Sequence, residues 1–135
     1  MPYCVDNNIS ILAYSSLAQG LLTGKFGLDH NFAEGDHRSK NKLFQGENYQ
    51  RAQQALDQLR PIAKEYNCTL AQLALAWLIA QPQTNAIAGA RTASQAKDNA
   101  KAASVNLSTK TLKQIDRIGK QVTEHLDDNP VMWNW

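Results

Sequence analysis

Cysteine is scarce. Only Cys4 and Cys68 occur, far apart, with no C-x-x-C pair and no Cys/His ligand spacing. That excludes a disulfide scaffold and fits free thiols in a reducing compartment. An excess of charge of one sign is also absent: Lys+Arg 14 against Asp+Glu 12 leaves a net charge of +2. So balanced a chain carries no nucleic-acid footprint. No apolar run approaches the roughly 18 residues of a membrane span, and the opening MPYCVDNN lacks a signal-peptide pattern. The expectation is a cytoplasmic protein with no membrane and no nucleic-acid partner. What remains is globular in character, 43% hydrophobic and 19% charged over 135 residues, which excludes disorder and collagen-like repeats and predicts one domain.

The first patterned segment, Ile9–Tyr14, is apolar and β-branched at nearly every position. It predicts a short strand buried on both faces, as in parallel sheets. Small residues follow, and from Gly27 to Gln45 there is no periodicity; a connection of this length in a small domain is expected to cover a ligand. Tyr49, Ala52, Ala55, Leu56, Leu59, Ile62, Ala63 and Tyr66 recur at helical spacing, with Pro61 predicted to bend or break the helix and Asn67 to end it. Thr69 and Gln72 predict a capping box opening a helix over 70–80 that is apolar almost all round. After a turn at Gln81–Thr84, Ala86–Ala88 predicts a second buried strand. Thr92 and Gln95 predict another capping box, for a helix to about Ser104. Ser108 predicts the cap of a last helix through Leu112, Ile115, Ile118 and Val122, and 127–135 is an irregular tail. This is a β/α alternation with too few strands to close a sheet, so the chain reads as part of a larger barrel or doubly wound sheet.

Two strand ends could carry chemistry. Tyr14-Ser15, two glycines and Lys25 follow the first strand, where ligands bind in α/β sheets and exposed N–H groups favour phosphate. The alternative is a tight turn with a surface lysine. At the second, Arg91 stands before a helix N-terminus, and Gln95, Asp98 and Asn99 share one face of that helix; this is an anion-binding arrangement, or else an ordinary capped helix with a solvated arginine. In the long loop, His30, Asp36 and His37 have irregular spacing, and no metal site is expected. Ser15, His37 and Asp36 lack the G-x-S-x-G elbow of a hydrolase triad.

The blocks ILAYSSLAQGLLTGKF, EGDHRS, TLAQLALAWLIAQ and IAGARTASQAKDNA, in this order and spacing, resemble the C-terminal part of the aldo/keto reductase superfamily from about Tyr3 to Ile118. The resemblance implies an α/β fold: the C-terminal portion of a (β/α)8 TIM barrel, about strands 7 and 8 with their helices, incomplete as a barrel. It implies that the whole chain, 1–135, is a partial NADP-dependent oxidoreductase domain, with 27–47 as its cofactor-covering loop. It places Tyr14 against the nicotinamide of NADP(H). Ser15, Leu17, Ala18, Gln19 and Lys25 would lie along the pyrophosphate, with Arg38 in the covering loop. Gly89, Arg91, Gln95, Asp98 and Asn99 would lie at the adenosine end, Arg91 meeting the 2′-phosphate. Two positions depart from the family pattern: Ser16 stands where proline is usual, and Asp98 where glutamate is common. The family's catalytic Asp, Tyr, Lys and His are absent, so no catalytic residue is assigned. A fragment is expected that grips NADP(H), takes a small carbonyl substrate only within a completed barrel, and is inactive alone. Alternatives are a non-catalytic nucleotide-binding or self-associating interaction protein, or one chain of a split barrel completed by an N-terminal partner.

Overall fold

The computed structural model describes residues 2–127 and 132. In chain order it contains α1 (Pro2–Asp6), β1 (Ile11–Ala13), α2 (Gly46–Glu65), α3 (Leu70–Ile79), β2 (Thr84–Ala86), α4 (Ala93–Ala100) and α5 (Thr109–Thr123), with short 3-10 segments between them. β1 and β2 pair in parallel, Ile11 opposite Thr84 and Ala13 opposite Ala86. They form a two-stranded sheet with α3 packed against β2, consistent with part of an α/β barrel. The long tail lies mostly outside the described residues; Met132 is held where its carbonyl accepts from the Lys42 N–H at 2.9 Å.

The core forms where α2 meets α3 and α5. Leu56 and Leu73 are its most buried large side chains, joined by Ala52, Ala55, Ile62, Ile118 and Val122. The helical stripe on α2 is buried as expected, but Pro61 does not break it: Gly46–Glu65 is one helix. The pyrrolidine ring sits on the exposed face, where the carbonyl one turn back can take water as its partner. Asn67 adopts φ +49°, ending the turn in the left-handed region as expected.

The first capping box is complete. The Thr69 hydroxyl accepts from the Gln72 N–H at 3.1 Å, and the Gln72 side-chain oxygen accepts from the Thr69 N–H at 3.0 Å. Ser108 caps α5 by accepting from the Thr111 N–H at 3.1 Å. Three expectations need correction. The strands are shorter than their apolar runs, and the second lies at Thr84–Ala86 rather than Ala86–Ala88. Neither strand is buried on both faces, for Leu12 of β1 is 66% exposed and Asn85 of β2 is exposed. The all-round apolar α3 likewise leaves Ile79 exposed and Trp77 and Leu78 half-buried. In each apolar case the residue type suits a neighbour that these two strands and five helices do not supply.

Candidate functional site

Two groups of candidate residues, Tyr14–Gln19 and Gly89–Arg91, follow the carboxyl ends of β1 and β2, which are adjacent. Beyond β1 the backbone leaves extended geometry at once. Ser15, Ala18 and Gln19 have φ of +54°, +45° and +54°, and Gly20 has +93°. Each non-glycine residue there costs about 1–2 kcal/mol, so the loop is a strained turn held by its surroundings. Part of that hold is short-range: the Ala18 N–H donates to the Ser15 carbonyl at 2.7 Å. Among the described residues, the N–H groups of Ser15, Ser16 and Leu17 donate to no carbonyl. Successive free donors in such a turn form a concavity suited to an anion. Tyr14 projects beside them and is 77% exposed, its ring open to a planar partner.

The long connection from Gly27, expected to cover a ligand, is more ordered than its composition suggests. Residues 46 and 47 already belong to α2, so the connection ends at Gln45. Phe26 packs edge-on against Phe32 and Phe44, with centroids 5.4 and 5.9 Å away, and His30 and Tyr49 extend the cluster. The Tyr49 hydroxyl donates to the Gly27 carbonyl at 2.8 Å, tying α2 to the start of the loop. Both candidate cations sit on this cluster. The Lys25 ammonium lies 4.7 Å from the Phe26 centroid, and the Arg38 guanidinium is 4.9 Å from the centroids of Phe26 and Phe32. Arg38 also grips Asp36 with two nitrogens, Nε at 2.9 Å and Nη2 in shorter contact. Side-chain hydrogen bonds from Arg38, then its backbone N–H, hold the Asp36 carboxyl down at about 2, from 3.8. Arg38 is thus committed to its own loop while its charge stays at the surface.

At the second strand end, two expected contact residues hold the backbone that carries the third. The Gln95 side-chain oxygen accepts from the Arg91 N–H at 2.7 Å, and the Asn99 side chain donates to the Gly89 carbonyl at 3.2 Å. The second capping box is therefore half made. Thr92 accepts from the Gln95 N–H at 3.2 Å, but the Gln95 side chain turns to Arg91 instead of Thr92. Asp98 pairs with Lys101 at 2.8 Å, and that hydrogen bond draws its carboxyl below the ordinary range. Among the described residues the exposed Arg91 guanidinium has no acidic partner. The structure brings Tyr14–Gln19 and Gly89–Arg91 to neighbouring strand ends, with Lys25 and Arg38 grouped around Phe26.

Sequence reasoning missed three residues that shape this site. Gln72, already used in the capping box, also donates to the Asp98 carbonyl at 2.9 Å and so fastens α4 to the start of α3. Asp36 was legible as a turn residue, since it caps the Arg38 N–H at 3.0 Å, but not as a partner of the guanidinium. Ser16, 6% exposed, reaches both strands: its hydroxyl is 2.9 Å from the Ala13 carbonyl oxygen and 3.0 Å from that of Ile87. An apolar cavity of about 650 Å³ between α2, α3 and α5 reaches Tyr14–Ser16 at one end. Ser15 and Ser16 line it, whereas Arg38, Arg91, Gln95 and Asn99 do not. Among the described residues no cluster of His, Cys, Asp or Glu could hold a metal ion, and no helix is long and apolar enough to cross a membrane.

A parallel two-stranded unit with α3 packed against it fits part of an α/β barrel. The chain belongs to the aldo/keto reductase family, whose model matches residues 1–120, and so to a family of oxidoreductases. It is 42% identical over 111 residues to an uncharacterised oxidoreductase of Mycobacterium tuberculosis, a match covering 82% of this chain and 34% of the relative. An NADH-specific methylglyoxal reductase of Escherichia coli is 38% identical, over 80% of this chain and 33% of its own length. An NADP(+) aldo-keto reductase of Schizosaccharomyces pombe is 37% identical, over 85% of this chain and 34% of its own. The structure of a glycerol dehydrogenase from Gluconobacter oxydans superposes with a TM-score of 0.85 at 29% identity, covering 97% of this chain and 40% of that one. The chain thus spans about a third of the length of the curated relatives it matches.

Proposed function

We propose that this chain carries the NADP(H)-gripping half of an aldo/keto reductase site and serves carbonyl reduction only when further barrel strands complete it. The observation that supports this most is the convergence of free Ser15–Leu17 N–H groups, exposed Tyr14 and unpaired Arg91 at adjacent strand ends. The chemistry of that donor set fits the cofactor: backbone N–H groups suit a pyrophosphate, a guanidinium suits a 2′-phosphate, and an exposed phenol ring suits a nicotinamide face. Bound NADP(H) would supply the hydride. Tyr14 would orient the ring, Ser15, Leu17, Ala18, Gln19 and Lys25 would hold the diphosphate, and Arg38 would bring the covering loop over it. Gly89, Arg91, Gln95, Asp98 and Asn99 would form the adenosine end. The family's Asp, Tyr, Lys and His set is absent from this chain, so in this reading the acid comes from elsewhere in the barrel.

Fluorescence titration with NADPH and with NADH tests the reading. Saturable NADPH binding is expected, and Arg91→Ala should weaken it about 10- to 100-fold, the worth of a charge-assisted phosphate contact. NADH binding should change little. Absence of saturable NADPH binding, or equal losses for both nucleotides, would refute the assignment. Purified chain should show no aldehyde reduction with NADPH. The exposed Leu12, Tyr14 and Ile87 favour a second reading, in which this chain self-associates or pairs with another chain that supplies strands. A sedimentation measurement showing a monodisperse oligomer would support it.

A further inference from the structure

The spacing of the ladder bonds singles out one rung. The Ile11 N–H donates to the Gln83 carbonyl at 2.8 Å, and the Ile87 N–H donates to the Ala13 carbonyl at 2.9 Å. In a parallel pair, alternate residues of one strand supply these bonds, so the next in register would run from the Ser15 N–H to the Ile87 carbonyl. That bond is not made. Ser15 has turned to φ +54°, and the Ile87 carbonyl is met instead by the Ser16 hydroxyl at 3.0 Å. The same hydroxyl lies 2.9 Å from the Ala13 carbonyl, which already accepts the last true rung. Ser16 is buried and Ser15 is exposed.

We infer that Ser16 is a positioning residue: its hydroxyl stands in for the missing rung, closes the sheet, and leaves the Ser15 N–H free at the ligand surface. The Ile87 carbonyl lies against the buried Ser16 side chain, where a missing donor is costly, and the hydroxyl meets it. If the hydroxyl does so, the backbone of Ser15 can turn outward and the sheet still ends cleanly. Without it, the Ile87 carbonyl competes for the Ser15 N–H, and the loop gives up the first of its free donors. The inference rests on the proposed nucleotide site for its ligand, but the hydrogen-bond exchange it predicts does not depend on any ligand.

Amide hydrogen exchange by NMR, with NADPH titration beside it, tests this on the full chain. In the unaltered protein the Ser15 amide should exchange as fast as an exposed loop amide, while that of Ile87 is protected. In Ser16→Ala the Ser15 amide should slow at least about tenfold as it takes over the rung, and NADPH affinity should fall about three- to tenfold, the worth of one hydrogen bond. Ser16→Thr, which keeps the hydroxyl, should restore both. A protected Ser15 amide in the unaltered protein overturns the inference, whether or not Ser16→Ala folds. So does unchanged Ser15 exchange in a folded Ser16→Ala variant. Failure of the unaltered chain to bind NADPH would count against the proposed function alone, with the exchange data still deciding the role of Ser16.

Discussion

Gly24 offers the sharpest test of how the core holds the loop. It closes the 3-10 segment Ala18–Thr23 in the left-handed region, at φ +67°, with its N–H donating to the Leu21 carbonyl at 3.0 Å. A Cβ added there would stand 2.5 Å from Cδ1 of Leu70, which is buried as the first residue of α3. Gly24→Ala therefore meets two separate penalties. The left-handed backbone costs an alanine about 1–2 kcal/mol, and forcing a methyl into the packed Leu70 site costs about 1–3 kcal/mol. The expected loss is about 2–5 kcal/mol. At a urea slope of about 1.5 kcal/mol/M the unfolding midpoint should fall by about 1–3 M. The double variant Gly24→Ala/Leu70→Ala separates the terms, because removing the isobutyl group abolishes the clash but not the backbone cost. Measured against Leu70→Ala alone, the added alanine should then cost only the smaller, conformational share. A Gly24→Ala midpoint within about 0.3 M of the unaltered protein would refute the reasoning. So would an equal penalty in both backgrounds.

Two further outcomes follow from particular bonds. The Asp36 carboxyl is depressed to about 2 from 3.8, so its pairing with Arg38 contributes fully above the unfolded value and is lost as pH falls through the folded one. Phe26 and Phe32 ring resonances should accordingly stay in place down to about pH 3 and shift with a midpoint near pH 2; a shift centred at the ordinary carboxylate value of 3.8 would contradict the Asp36–Arg38 pairing. Thr69→Ala removes one arm of the complete capping box on α3 and should cost about 1 kcal/mol in urea unfolding. A loss below about 0.3 kcal/mol would mean that Gln72 alone holds that helix start.

The helices were legible because their signals are local. Capping at Thr69 and Ser108, the stripe from Tyr49 to Ala63 and the turn at Asn67 each depend on residues a few positions apart. The strands were legible as apolar runs but not in extent, since their ends are set by pairing across about seventy intervening residues. Ile9 and Tyr14 look like strand residues and lie outside β1; their composition suits a wider sheet than this chain forms. At the candidate site, Tyr14–Gln19 and Gly89–Arg91 follow two paired strands, as apolar runs each followed by small residues suggest. The resemblance could not reveal that Gln95 and Asn99 bond to the Arg91 and Gly89 backbone, or that a serine at position 16 bridges two strands. Those relations depend on where side chains point, which no spacing rule encodes.

The aromatic cluster from Phe26 to Tyr49 has a consequence for how that segment opens locally. Phe26, Phe32, Phe44 and His30 contact one another as a group, and Tyr49 anchors that group to α2. A segment with its own small core does not fray one residue at a time; lifting any ring exposes its neighbours, so the contacts are given up together. Lys25 and Arg38 both rest on Phe26, so displacing that one ring withdraws the support of two cations at once.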